Sequence, residues 1–393
     1  EMLRHGRGEA LHRWLLRLGS SVGTSASVQL LSGRVLRRRG RLQAATSVLH
    51  DAQEHPNASP GLVCEARTEL ASIARAQGDY RRAGEWAVAA TSPESASVPA
   101  DVNATAWMER AKCEGHLRGM ARGRKLAERA LRELDRPEED PIDRRVRATL
   151  RGSLGQICWW QGDVDAAVSN LERALDELGE DDTIRAADIR LDLATPTLYR
   201  HDHEAAHLHA ETALAAYQRH EARDRLPAAY AVLGNIHTRA GDLDRAESLL
   251  RSAMSLAQEI DGASYDRVMA AGYLAHVLDL QGRADEASQV AQEALWRHEG
   301  TPIVYEVYVC QSVLADTYLS AGRWDEAERI YEQLAEVGEA RQYRIPLALV
   351  HFGRGYLALE RGDTDRGLVW ATRSVEMLAP THAWQLYADQ GPR

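Results

Sequence analysis

The fold is decided by the stretch from Ala229 to Ala253, AYAVLGNIHTRAGDLDRAESLLRSA. Residues that share one helical face stand on both sides of a Gly-Asp break; they are Leu233, Gly234 and His237, then Ala246, Leu250 and Ala253. Gly241 suits a left-handed turn, and Ala246 lets two helices approach closely because its side chain is a single methyl group. The stretch therefore predicts two helices joined by a tight turn.

The same pattern occurs nine times along the chain. Its turn residues, 38 to 44 positions apart, are Gly40, Gly78, Arg118, Gly162, His201, Gly241, Gly282, Gly322 and Gly362. Five positions after each turn residue stands a small residue, namely Ala45, Ala83, Gly123, Ala167, Ala206, Ala246, Ala287, Ala327 and Gly367. A small residue in all nine places indicates a repeated close contact between helices.

The order Leu-Gly, Gly-Asp and Ala at fixed offsets resembles the tetratricopeptide (TPR) repeat, although the period near 40 exceeds the usual length of about 34. We predict an all-α, right-handed TPR-like superhelical solenoid of about nine helix-turn-helix repeats. It forms one domain, residues 1–393. Within it we expect an N-terminal capping helix at 1–24, the nine repeats at 25–379 and a C-terminal tail at 380–393.

Composition excludes several classes of function. The net charge of −10 divides unevenly, because residues 1–151 carry 26 basic and 19 acidic groups whereas residues 152–393 carry 22 and 39. The acidic half disfavours direct binding of nucleic acid. No apolar run approaches the length of a membrane span. The four cysteines form no C-x-x-C pair, so we expect reduced, packing cysteines in a cytoplasmic protein.

One motif suggests catalysis. His203-Glu204-Ala205-Ala206-His207 has the H-E-x-x-H spacing of zinc metalloproteases. It falls on the second helix of a repeat, where Ala206 must pack on its neighbour, and no downstream G-x-x-H follows. No phosphate-binding loop or G-x-S-x-G elbow is present either. We therefore expect no enzyme, no metal and no cofactor, with a metalloenzyme as the third interpretation.

A polar row six residues before each turn residue is the candidate binding surface. Its members are Arg34, Ser72, Lys112, Gln156, Thr195, Asn235, His276, Asp316 and Tyr356. In TPR geometry this row lines the concave surface, and either a wetted inner face or a binding groove would explain it. The residues predicted to bind a ligand are Gln156, Thr195, Asn235, His276 and Asp316, with Trp159 and Tyr199 as aromatic stacking surfaces.

Two flanking stretches resemble the helical-repeat region of large LuxR-type, MalT-like regulators. The first comprises Leu11, Trp14, Leu15 and Leu18 followed by Gln29–Gly33 and Gly40-Arg41-Leu42; the second is Leu386–Pro392, similar to F-x-D-E-G-x-P with Gln390 in place of the usual Glu. The resemblance implies a STAND ATPase before the repeats, a helix-turn-helix domain after them, and a sensor role for the repeats. The expected partners are a small-molecule inducer or a regulatory protein or peptide in the concave groove, with self-association possible; a generic TPR scaffold for protein–protein contact is the alternative.

Overall fold

The computed structural model describes residues 25–92, 98–133, 141–179, 184–260 and 264–381, together with residues 11, 13–15 and 17. Within these ranges the regular structure is helical, without a strand. No helix there is both long and apolar enough to cross a membrane.

From residue 25 to residue 381, the described residues contain eighteen α-helices in nine consecutive pairs. In chain order they are α1 (Ala26–Arg38), α2 (Leu42–Glu54), α3 (Pro60–Ala76), α4 (Tyr80–Ala90), α5 (Ala100–Arg118), α6 (Met120–Glu133), α7 (Pro141–Gln161), α8 (Val164–Leu178), α9 (Ile184–Tyr199), α10 (His203–Arg219), α11 (Leu226–Arg239), α12 (Leu243–Glu259), α13 (Ser264–Leu280), α14 (Ala284–Leu295), α15 (Tyr305–Ser320), α16 (Trp324–Arg341), α17 (Arg344–Glu360) and α18 (Thr364–Leu378). The predicted TPR-like solenoid of nine repeats is confirmed.

The turns within the pairs fall where the pattern places them, with one shift. His201 adopts the left-handed conformation at φ 64°, as the glycines do at equivalent turns. In the third repeat the left-handed residue is Gly119, at φ 107°, one position after the predicted Arg118. Glycine tolerates this conformation at little cost, so the chain turns at the glycine and α5 extends through Arg118.

The small residue five positions after each turn residue is buried between the two helices of its pair. The seven alanines in this position are completely buried, and Gly123 and Gly367 are buried as well. A Cβ atom at Gly123 would lie 2.5 Å from the carbonyl oxygen of Ala111 on α5. The contact between paired helices therefore leaves no room for a larger side chain.

The first helix of each pair is the inner one. Inner helices of neighbouring repeats contact each other, as α13 and α15 do. α15 buries nine residues from Tyr305 to Tyr318, whereas the outer helix α14 buries only Ala287, Ala291 and Ala294. Polar side chains on inner helices thus lie within the superhelix.

The predicted ends of the domain lie mostly outside the described residues. Leu11 and Leu15 are buried and pack against Val35 of α1. Most of 1–24, the tail beyond residue 381 and the acidic interruption at residues 134–140 are outside the described ranges.

Candidate functional site

Turns of the early repeats contact the starts of late inner helices. The Tyr265 hydroxyl at the start of α13 donates a hydrogen bond to the carbonyl oxygen of Gly78 over 3.0 Å. The side-chain oxygen of Gln342 accepts one from the backbone N–H of Ala121 at 2.9 Å. Because these pairs are about 190 and 220 residues apart in sequence, the superhelix closes on itself and encloses its concave side.

Aromatic rings fill this contact between early and late repeats. The ring of His116 lies 4.7 Å from that of Tyr80 and 4.4 Å from that of Trp160. The Tyr343 hydroxyl lies 3.0 Å from His116 Nδ1. Tyr265 packs edge-on to Tyr80 at 5.5 Å. Burial lowers the pKa of His116 well below its ordinary value, so the ring is neutral and serves packing.

We use the term interior groove for the polar surface of the inner helices from α3 to α15. Two ion pairs lie in it. Arg75 Nε donates to Glu109 across 3.0 Å. Although burial alone would raise the pKa of Glu109, Arg75 and Lys112 lower it to about 2. Further along, Arg225 Nε lies 3.4 Å from Asp188.

Three other carboxyl groups face the interior groove, and the pKa of each is raised. Desolvation raises the pKa of Asp192 and of Asp266 to about 6, and that of Glu306 to about 7. All three residues nevertheless keep partial exposure to solvent. A group that is surrounded by protein but still in contact with solvent is expected to line an enclosed, water-filled space.

The predicted polar row lies on consecutive inner helices of this groove. Gln156 on α7 is half-buried and its Nε2 donates to Asp192 at 2.9 Å. Thr195 on α9 and His276 on α13 are half-buried too. Asn235 on α11 is 8% exposed, and its side chain has no hydrogen-bond partner among the described residues. No Asn235 atom is among the completely buried unpartnered atoms of the described chain, so this amide is open to solvent.

Three further residues of the predicted site, Trp159, Tyr199 and Asp316, contact neighbouring side chains. The rings of Trp159 and Tyr199 meet edge to face at 4.8 Å, and the Arg239 guanidinium lies 4.5 Å above the Tyr199 ring. On α15, Asp316 accepts a hydrogen bond at 2.5 Å from Tyr331, a completely buried residue of the outer helix α16. The structure therefore brings Trp159 and Tyr199 together and ties Asp316 to the wall of its own repeat.

The H-E-x-x-H motif lies on α10 as expected. His203 and Glu204 are exposed, while the His207 ring packs 5.5 Å from the ring of His237 on α11. Within the described part of the chain, no group of three or more His, Cys, Asp or Glu residues is arranged to hold a metal ion. The four cysteines are all buried and free.

Sequence reasoning missed the charged groups of the groove. Asp192 stands nine residues before its turn residue, and Asp266 and Glu306 stand sixteen before theirs. Offsets of six, nine, thirteen and sixteen share one helical face. Extending the polar row along that face would have found them.

A cavity of about 540 Å³ lies where α1 meets α10 and α11. Its lining includes Val35, Arg38, Tyr217 and Leu226. Arg38 lies within the electrostatic field of Asp224 and Asp188, so the cavity adjoins the charged end of the interior groove.

Fold and groove together define a TPR-type superhelix with an enclosed polar interior. The chain belongs to a family of this class, the MalT-like TPR region, whose model matches residues 148–386, more than half of the chain. No curated protein sequence matches the chain.

Solved structures similar to this chain share its fold. A Rap protein complexed with competence and sporulation factor is 13% identical, with a TM-score of 0.62 over 91% of this chain and 98% of that one. NprR in complex with its cognate peptide NprX is 11% identical, with a TM-score of 0.55 over 75% and 84%. A human IFIT1 dimer is 16% identical, with a TM-score of 0.53 over 95% and 81%.

Proposed function

We propose that this chain is the non-catalytic sensor region of a LuxR-type, MalT-like bacterial transcriptional regulator, and that it receives an inducer or a regulatory protein or peptide in the interior groove. The parent protein would carry a nucleotide-binding STAND ATPase before the repeats and a helix-turn-helix domain after them. It would act in the cytoplasm, and binding would change its self-association.

The observation that carries this proposal is the unpartnered amide of Asn235. Asn235 is 8% exposed, and its amide makes no hydrogen bond to the described chain while its polar atoms keep contact with solvent. A bound ligand would replace that solvent with hydrogen bonds to the amide. Family membership supports the regulatory role, and the NprR–NprX complex supports a peptide as one kind of occupant.

A thermal-shift screen of sugars, metabolites and short peptides on the purified chain tests the proposal. A ligand at 100 times its dissociation constant stabilises the chain by about 2.7 kcal/mol. We expect Asn235→Ala to weaken the binding of any hit by about 1–3 kcal/mol.

The matched control is Asn170→Ala, on the outer helix α8, whose side chain bonds only its own helix at Ala166. A hit that binds the Asn235 variant as tightly as the parent, but loses affinity on changes to the outer helices, contradicts the proposal. The same outcome favours the alternative of a scaffold that binds proteins on its outer face.

A further inference from the structure

The cationic groups of the interior groove are mostly neutralised by the chain itself. Arg75 is paired with Glu109, and Arg225 lies 3.4 Å from Asp188 and 3.8 Å from Asp224. A ligand in the groove would therefore meet mainly the charged groups that take no part in these ion pairs.

The charged groups of the groove outside these ion pairs are predominantly acidic. Asp192, Asp266 and Glu306 form no ion pair with any residue that the structure describes, and Glu306 Oε2 is buried without a hydrogen-bond partner. Lys112 on α5 is only 8% exposed and likewise unpaired within the described ranges. Burial lowers the pKa of Lys112 against the opposing effect of Glu109, Asp192 and Asp188, so Lys112 lies in the electrostatic field of the carboxyl groups on α9. Asp266 and Glu306 lie in the fields of Arg225 and Arg75, which already have carboxylate partners.

Amide groups stand between these charges. Asn235 has no partner, and Gln156 uses its Nε2 on Asp192 while its Oε1 is buried without a partner. A side-chain amide offers one acceptor and two donor hydrogens, which matches the C=O and N–H of a peptide group. The groove therefore presents amides and charges together.

We propose that the occupant of the interior groove is a short peptide with a net positive charge, and this inference rests on the proposed function. Its basic side chain lies against Asp266 and Glu306, its main-chain amides bond Asn235 and Gln156, and its carboxyl group lies towards Lys112. Burial of a charge is costly unless it is paired. A cationic peptide supplies the missing pair for the carboxyl groups of α13 and α15.

The protonation of these carboxyl groups gives the complex a pH dependence. Their raised pKa values mean that part of them is neutral near pH 6, whereas an arginine side chain of the peptide stays charged. Binding therefore becomes tighter between pH 5.5 and 7.5 and releases protons. The charged and titratable groups that interact with Glu306 and Asp266 are Arg75, Arg225, Asp224, Tyr80, Tyr265, Tyr273, Tyr305 and Tyr343.

The experiment uses pools of pentapeptides, random at four positions and fixed in the centre as Arg, Ala or Glu. Calorimetric titration of the whole chain at pH 7.5 is expected to show binding of the Arg pool at least tenfold tighter than that of the Glu pool. The double variant Asp266→Asn, Glu306→Gln is expected to lose this preference at least tenfold. Both substitutions keep the shape of the side chain, and circular dichroism checks that the variant is folded. Glu336→Gln, on the exposed face of α16, is the control.

Equal affinity for the Arg and Glu pools overturns the preference for a cationic peptide. If that binding is still weakened by Asn235→Ala, the proposed function of the groove as a ligand site stands. Absence of binding by every pool overturns the peptide, whereas a sugar or metabolite that binds in an Asn235-dependent way would still uphold the sensor. A tenfold preference that weakens as the pH falls to 5.5 and disappears in the double variant supports the inference.

Discussion

Enlarging the small residue between α11 and α12 should destabilise the whole array. Ala246 is completely buried, and in the same interface a Cβ atom on Gly234 would lie 2.6 Å from Leu250 Cγ. Ala246→Leu adds three carbon atoms to a contact without free volume. Overpacking of this kind costs about 1–3 kcal/mol. Because each repeat is stabilised by its neighbours, the loss extends beyond one pair.

The assay is urea unfolding followed by circular dichroism at 222 nm, with Ser248→Leu as the matched control. Ser248 is exposed on the same helix, so the control adds a leucine without entering the interface. We expect a lower midpoint for Ala246→Leu and an unchanged one for the control. Equal midpoints for the two variants would refute the assigned register of the repeats.

Three further outcomes follow from the structure. Burial raises the pKa of Glu306 from 4.5 to about 7, so the contribution of this group to stability is fully present below about pH 4.5 and is lost as the pH rises through 7. Between pH 4.5 and 7.5, the free energy of unfolding of Glu306→Gln should therefore rise by about 3 kcal/mol relative to that of the parent; equal pH profiles of the two proteins would refute the raised pKa. Tyr265→Phe removes the hydrogen bond to Gly78 and should lower the free energy of unfolding by about 1 kcal/mol. Tyr230→Phe is the control, because Tyr230 makes no hydrogen bond within the described chain, and it should leave stability unchanged. Identical losses of stability would argue against the contact between early and late repeats. His203→Ala should leave the melting temperature unchanged, and zinc retained at one equivalent after dialysis against a chelator would show that the H-E-x-x-H motif binds metal.

The repeat pattern predicted the fold because its determinants are local. A turn residue such as His201 and a small residue such as Ala206 act within one helix pair, and their spacing is visible in the sequence. The one-residue shift at Gly119 has an equally local cause, since glycine takes the left-handed conformation more easily than Arg118.

The closed interior could not be predicted from the repeat, because it depends on contacts between residues that are far apart in sequence. His116 meets Tyr343 only because the superhelix curves enough to bring the third repeat to the ninth. Similarly, Tyr331 donates a hydrogen bond to Asp316. The spacing of the polar row in the sequence does not predict this bond. The row located Asn235 and Gln156 on the inner helices, and their role as ligand contacts stays a prediction.

The most direct test of the groove is a crystal structure of the chain with the tightest-binding peptide resolved from the Arg pool. The account predicts density inside the superhelix, with the peptide main chain bonded to Asn235 and its arginine against Asp266 and Glu306. Density confined to the outer helices, with an empty interior, would contradict it.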